Sequence, residues 1–74
     1  MKATMNTTTI RIFMFQKNMT QRQMARRIGI SETYFSQLIT NKRTPTAGVR
    51  HKIMKVMKNH TFDDLFTMLE APHA

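Results

Sequence analysis

The chain has 74 residues, which is enough for one domain with one small hydrophobic core. It contains no cysteine, so disulfide bonds and thiolate metal sites are excluded, and no apolar stretch approaches the length of a membrane-spanning helix. Twelve Lys and Arg residues against four acids give a net charge of +8, which suits a polyanionic partner, with a merely soluble basic surface as the alternative. The first residues lack the apolar segment of a signal peptide, so we expect a cytoplasmic protein.

The charges are unevenly distributed along the chain. Residues 1–60 contain all twelve basic side chains and a single acid, Glu32, whereas residues 61–74 contain three acids and neither Lys nor Arg. We therefore expect the longer, basic part to face a polyanion and the final segment to be turned away from it.

Apolar periodicity and capping residues predict an all-α fold, a compact bundle of five short helices in a single domain over residues 1–74. The predicted helices lie near residues 8–17, 21–28, 32–40, 46–58 and 62–69, with a flexible N-terminal arm at 1–6 and a flexible tail at 70–74. Local propensity leaves the first helix ambiguous, because β-branched and aromatic residues crowd together over residues 7–15. An apolar stripe at Ile10, Phe13 and Met14 favours a helix there.

The second and third predicted helices are separated by a very short break. Thr20 and Gln23 have the spacing of an N-terminal capping box, and Ser31 can cap the following helix. Between them, Gly29 can adopt the left-handed conformation that ends a helix. Small and apolar residues recur over residues 21–40 so that the two helices can cross closely over Ala25, and the outer face of the third helix then projects from the body.

These residues resemble the Cro/cI-type (XRE) helix-turn-helix family, which has the lambda-repressor-like fold. The matching segment is MTQRQMARRIGISETYFSQLITNKRTPT, against a family habit of LTQ, LA, GIS and a basic loop ending in Pro-Ser/Thr. The chain departs from the family where Thr40 and Asn41 replace the usual Glu and Gly, and where Ile12, Met14 and Phe15 are apolar. The resemblance implies a sequence-specific double-stranded DNA-binding transcriptional regulator, a phage- or mobile-element-type repressor whose inverted-repeat operator is bound through the major groove by a homodimer.

The third predicted helix carries the residues that we expect to contact base edges. A polar stripe at i, i+3, i+4 and i+7 lies opposite its apolar face, and Gln, Thr and Glu can recognise adenine, thymine and cytosine, respectively. Glu32 could instead cap its own helix, since an acid that faces DNA repels phosphate. The predicted base-reading residues are Glu32, Thr33, Ser36, Gln37 and Thr40.

The resemblance also implies contacts to the DNA backbone from the start of the second helix, the basic loop and the fourth helix. The residues expected there are Gln21, Arg22, Asn41, Lys42, Arg43, Arg50 and Lys52. Tyr34 is interpreted as a packing residue, with a phosphate contact as the alternative.

The fifth predicted helix has more apolar residues than a terminal helix needs for docking. They are interpreted as a dimer or partner contact, or as residues that close the chain's own core beside Phe13 and Ile53. These residues are Phe62, Leu65, Phe66, Met68 and Leu69.

Other classes of function fit the sequence less well. The acids are too few and too clustered for an enzyme active site, no cofactor motif is visible, and the three histidines lack the spacing of metal ligands. A membrane-active basic peptide and an RNA-binding protein are disfavoured, because the helices are separately capped and no exposed aromatic platform is apparent. An antitoxin or other partner-binding regulator that also represses its own promoter remains the alternative function.

Overall fold

The computed structural model describes residues 2–69 of the chain. In this part the predicted five helices are present, together with two short strands, and the mostly helical bundle confirms the all-α prediction. The elements in chain order are β1 (Ala3–Met5), α1 (Thr7–Gln16), α2 (Gln21–Ile28), α3 (Glu32–Ile39), α4 (Ala47–Val56), α5 (Phe62–Leu65) and β2 (Phe66–Met68). The predicted tail at 70–74 lies outside the described residues.

The segment with ambiguous propensity is helical, and its apolar stripe explains why. Ile10 and Met14 on α1 are buried and Phe13 packs against the same core, and only helical spacing puts all three on one face, because a strand would direct Phe13 to the opposite side. The centre of the core is completed by side chains from α2, α3 and α4 that are completely buried. These are Met24, Phe35, Leu38 and Ile53.

The predicted flexible arm at residues 1–6 is wrong for residues 3–5, which form β1. This strand pairs antiparallel with β2, with Ala3 opposite Met68 and Met5 opposite Phe66. Ala3 and Met5 are 2% and 3% exposed, so the strand contributes to the hydrophobic core. The segment is ordered because its backbone is hydrogen-bonded to β2 and one of its faces is buried against the core.

The predicted fifth helix over residues 62–69 is also too long. It begins as expected at Phe62, after the N-cap Thr61, whose side chain accepts the backbone N–H of Asp64, but it ends after Leu65, and Phe66 is already extended. Continuing the helix would require the carbonyls of Asp63 and Asp64 to accept N–H groups four residues later. These carbonyls instead accept hydrogen bonds from the Asn6 side-chain amide, at 3.3 and 3.0 Å.

The next carbonyl is used in the same way. The Leu65 carbonyl accepts the backbone N–H of Asn6 at 2.8 Å, and the chain then runs on as β2 beside β1. Pairing with the distant N-terminal segment therefore replaces the last helical turn that the apolar periodicity predicts.

None of the helices in residues 2–69 has the length and apolar composition needed to cross a membrane.

Candidate nucleic-acid interface

Helix α2 begins where the sequence predicts it. The Thr20 side chain accepts the backbone N–H of Gln23 at 3.1 Å, and the Gln23 side chain accepts the backbone N–H of Thr20 at 2.9 Å. This capping box satisfies two of the N–H groups that a helix start leaves without partners. Gln21, an expected backbone contact, is therefore held as the first residue of α2, and its side chain is partly exposed.

The turn between α2 and α3 depends on Gly29. Its φ of +93° lies in the left-handed region, and its N–H donates to the Ala25 carbonyl at 2.8 Å. Two residues later the Ser31 side chain accepts the N–H of Tyr34 at 3.1 Å and starts α3. Ala25 is 1% exposed at this helix crossing, in agreement with the requirement for a small residue there.

The two faces of α3 differ as the stripe predicts. Phe35, Leu38 and Ile39 are buried, whereas the side chains of the opposite stripe reach the surface. Thr33 and Thr40 are exposed, and Ser36 and Gln37 are partly exposed. The hydroxyl of Thr40 donates to the Ser36 carbonyl at 2.8 Å, so its methyl group and its acceptor lone pairs are the parts still available to a ligand.

The basic loop after α3 has a defined backbone. Asn41 has a φ of +60°, which a non-glycine residue adopts at low cost mainly when it is Asn or Asp, and so it replaces the glycine usual in the family. The backbone N–H groups of Lys42 and Arg43 both donate to the Gln37 carbonyl, at 2.8 and 3.2 Å. Both cationic side chains are exposed directly beside the polar face of α3.

Glu32 and Arg22 lie together, which the sequence analysis did not predict. The Arg22 guanidinium donates to the Glu32 carboxylate at 3.3 Å, and this is the one ion pair between side chains of residues 2–69. Glu32 is also in the first turn of α3, where an acid is favoured by the helix dipole. The pair therefore links the starts of α2 and α3, and it is well exposed to solvent.

The two expected contacts on α4 differ in their surroundings. Arg50 is partly buried and donates to the Pro45 carbonyl at 2.9 Å, so part of its guanidinium holds the loop before α4. Lys52 is exposed, and no hydrogen bond joins it to another residue in the described part of the chain. The structure thus places Arg50, but not Lys52, against the loop that follows α3.

A surface depression brings the loop residues together with a residue that the sequence analysis missed. Lys2 lines this depression, of about 410 Å³, beside Asn41, Lys42 and Arg43. No local signal identifies Lys2, because its position follows from the pairing of β1 with a strand at the other end of the chain.

The helix-turn-helix family model matches residues 10–61, more than two-thirds of the chain. The chain belongs to the Cro/cI-type (XRE) helix-turn-helix family. It is accordingly a DNA-binding transcription regulator of this type, a class whose members bind DNA rather than catalyse a reaction. No curated protein and no solved structure matches the chain.

In this regulator, the apolar residues of the last segment are divided between core and surface. Leu65 and Phe66 are 0% and 2% exposed within the chain's own core, so neither is free to contact a second molecule. Phe62 is partly buried and packs on Phe66, with ring centroids 5.1 Å apart. Met68 and Leu69 are exposed, so of the residues predicted to form a dimer or partner contact these two are accessible to a second molecule.

The two histidines of residues 2–69 lie in different surroundings. His51 is exposed on α4, His60 packs edge-on against the Phe13 ring with centroids 6.2 Å apart, and His73 lies outside the described residues. No group of three potential metal ligands occurs within residues 2–69.

The three apolar residues of α1 that depart from the family pattern differ in exposure. Met14 is buried, whereas Ile12 and Phe15 are 52% and 76% exposed.

Proposed function

We propose that this regulator is a sequence-specific repressor of the phage or mobile-element type, and that a homodimer binds an inverted-repeat operator through the major groove. The observation that carries the proposal is the exposed polar face of α3, which lies between the capped start of α2 and the basic loop at Lys42 and Arg43. A helix that projects in this way is the element that such proteins insert into the major groove.

Base recognition is assigned to the exposed stripe of α3. The Gln37 amide can form two hydrogen bonds with an adenine, Ser36 can donate or accept one, and the Thr33 methyl suits thymine. Glu32 is a weaker candidate because its carboxylate is paired with Arg22.

Phosphate binding is assigned to the elements on either side of that stripe. Lys42 and Arg43 are the principal contacts, with Asn41 beside them, and Gln21 contributes at the N-terminus of α2. Arg22, Arg50 and Lys52 complete the proposed set. If the five cations of this set each neutralise one phosphate, the affinity should fall by about 500-fold between 50 and 200 mM salt.

The proposed dimer is supported by the outer edge of β2. The bonds from Asn6 to Leu65 and from Leu69 to Lys2 direct the backbone groups of those residues toward β1. Because antiparallel pairing alternates, the C=O of Phe66 and the N–H of Met68 point away from β1, beside the exposed Met68 and Leu69 side chains. Two such edges related by a two-fold axis would set the spacing of two half-sites, about one helical turn or ~34 Å apart.

Selection from a random pool of duplex DNA at near-physiological salt, read by sequencing, tests this proposal. We expect an inverted repeat that binds about 10³-fold or more tightly than bulk DNA. Salt-dependent binding without enrichment of any sequence would overturn the proposal. Enrichment of a single, unrepeated site would contradict the proposed homodimer.

The variant Gln37→Ala tests the assignment of α3. We expect a loss of about 1–3 kcal/mol of discrimination at one base position of each half-site, with binding to unrelated DNA unchanged. The matched control is Gln16→Ala, since Gln16 is exposed on α1. An equal effect of both substitutions, measured by competition among single-base operator variants, would contradict the assignment.

The second candidate function is a regulator that also binds a protein, such as an antitoxin that represses its own promoter. The exposure of Ile12 and Phe15 favours it, because large side chains on one exposed helix face are typical of protein contact sites. Gel filtration of the chain alone and with candidate partners distinguishes this function from a self-contained repressor.

A further inference from the structure

We propose that Lys2 binds the phosphate backbone of the operator together with Lys42 and Arg43. This inference rests on the proposed function, and it adds a contact from the N-terminal segment, 40 residues away from the basic loop in sequence. Lys2 lines the surface depression described above, whose other lining residues come from α3, the basic loop and the residues before α4. These are Tyr34, Asn41, Lys42, Arg43, Thr44 and Thr46.

The chemistry of this depression suits a phosphate group. Three of the lining residues are cations, and no acid is among them. The ion pair of the described segment lies elsewhere, between Arg22 and Glu32, so none of the three cations is neutralised by a carboxylate of residues 2–69. Thr46 accepts the N–H of Val49 at 3.3 Å through its hydroxyl oxygen, which leaves the hydroxyl proton available for a phosphate oxygen.

The position of Lys2 is fixed by the strand pair. Its carbonyl accepts the backbone N–H of Leu69 at 2.9 Å, and the neighbouring Ala3 is 2% exposed. Successive side chains of an extended segment alternate between its two faces, so Lys2 is directed away from the core face occupied by Ala3 and Met5. Lys2 is exposed, as this alternation requires.

The arrangement also explains what β1 contributes to DNA binding. The contact between β1 and α3 brings the N-terminal segment beside the helix that is proposed to read bases. A cation carried by an unattached arm would lose conformational entropy on binding, whereas β2 has already restricted the backbone of Lys2.

The test is the salt dependence of operator binding for Lys2→Gln, with Lys58→Gln as the control. Both substitutions remove one exposed lysine charge, but Lys58 does not line this depression. Loss of one phosphate contact lowers the slope of log affinity against log salt by about 0.9. The advantage of the wild type over Lys2→Gln should therefore shrink about three- to fourfold between 50 and 200 mM salt. For Lys58→Gln the slope should match that of the wild type.

A structural role for Lys2 is separated from a phosphate contact by two further measurements. Lys2→Arg should restore the wild-type slope, because it keeps the charge, and urea unfolding of Lys2→Gln should match the wild type, because only the Lys2 backbone bonds to Leu69. Equal slopes for Lys2→Gln and Lys58→Gln would overturn the proposal.

Failure of the proposed function gives a different result. If the random pool yields no operator, the same slopes are measured on bulk duplex DNA, since a phosphate contact carries no base information. A reduced slope there supports the Lys2 contact even though the specific repressor is excluded.

Discussion

The helix pair α2–α3 and the terminal segments β1, α5 and β2 are built by different means. In the helix pair, each start and stop is determined by a residue within four positions: Thr20 with Gln23, Gly29 with Ala25, and Ser31 with Tyr34. In the terminal segments the decisive bond joins Asn6 to Asp64, 58 residues apart. The helix pair presents cations to a ligand, whereas the terminal segments contain Asp63 and Asp64. Helix α3 is thus specified locally, whereas the cations around it are completed by pairing between distant segments of the chain.

Among the variants that test this difference between the two regions, we expect Phe66→Ala to lose the most stability. If the terminal segments are part of the core, Phe66→Ala should cost about 3–5 kcal/mol, as much as Phe35→Ala in α3. Both side chains are almost completely buried, at 2% and 0% exposed. Urea unfolding monitored by circular dichroism measures the loss.

The matched control for Phe66 is Met68→Ala in the same strand. Met68 is 43% exposed, so its substitution should change the stability by about 0.5 kcal/mol or less. A loss below about 1 kcal/mol for Phe66→Ala would mean that the terminal segments are an attachment rather than part of the core.

The turn of the helix pair gives the next largest effect. Gly29→Ala should destabilise the chain by about 1–2 kcal/mol, because an L side chain is strained at a φ of +93° even though no atom lies within 4 Å of the added Cβ. Gly48→Ala is the control, since Gly48 is helical and the space around it is equally open. It should stabilise α4 by up to about 1 kcal/mol. Changes of the same sign in both variants would show that backbone conformation does not determine the turn.

These two regions also show how much of the fold the sequence specifies. The capping residues, the break at Gly29 and the buried face of α3 follow from local spacing, and the structure confirms them. The strand pair does not follow, because Phe62, Leu65, Phe66 and Leu69 have helical spacing and only Asn6 and β1 supply the alternative hydrogen bonds. The candidate site divides in the same way: Lys42 and Arg43 are visible in the family pattern, whereas Lys2 becomes part of the site through β1.

We expect Glu32→Gln to change stability less than the preceding variants. This substitution removes the acid of the helix pair, and its effects can be compared with removal of an acid in the terminal segments. The pair with Arg22 is exposed, so the free energy of unfolding should change by less than about 1 kcal/mol. Affinity for any duplex should rise, because a negative charge beside the proposed groove contact is removed and Arg22 is released for phosphate. Urea unfolding measures the first effect, and titration of operator and bulk duplex DNA measures the second, with Asp63→Asn as the control in both.

A loss of preference for cytosine at one position in Glu32→Gln would contradict the pairing role. It would instead assign the carboxylate to base reading.

The smallest expected effect is a difference in pH response between the two capping boxes. The box of α2 contains the neutral Gln23, and the box of α5 contains the acid Asp64. In the folded chain, hydrogen bonds from the backbone and side chain of Thr61 lower the pKa of Asp64 below its ordinary value of 3.8, and the charge of His60 acts in the same direction. The Thr61 N–H lies 2.9 Å from the carboxylate, the same distance that separates the Thr20 N–H from the Gln23 amide oxygen. A lowered pKa stabilises the folded chain above pH 3.8, and this contribution is lost as the pH falls through the folded pKa. Acid should therefore weaken the cap of α5 and leave the cap of α2 intact.

Amide hydrogen exchange measured at acidic and neutral pH, corrected for the intrinsic pH dependence of exchange, resolves the two caps. The N–H groups of Thr61 and Asp64 should lose protection in acid, whereas those of Thr20 and Gln23 should keep it, because the Gln23 amide does not titrate. Asp64→Asn retains an acceptor oxygen without an ionisable group, so the difference between the two pH values at α5 should disappear in this variant. Equal loss of protection at both caps would instead indicate global acid unfolding, and the terminal segments would then have no pH response of their own.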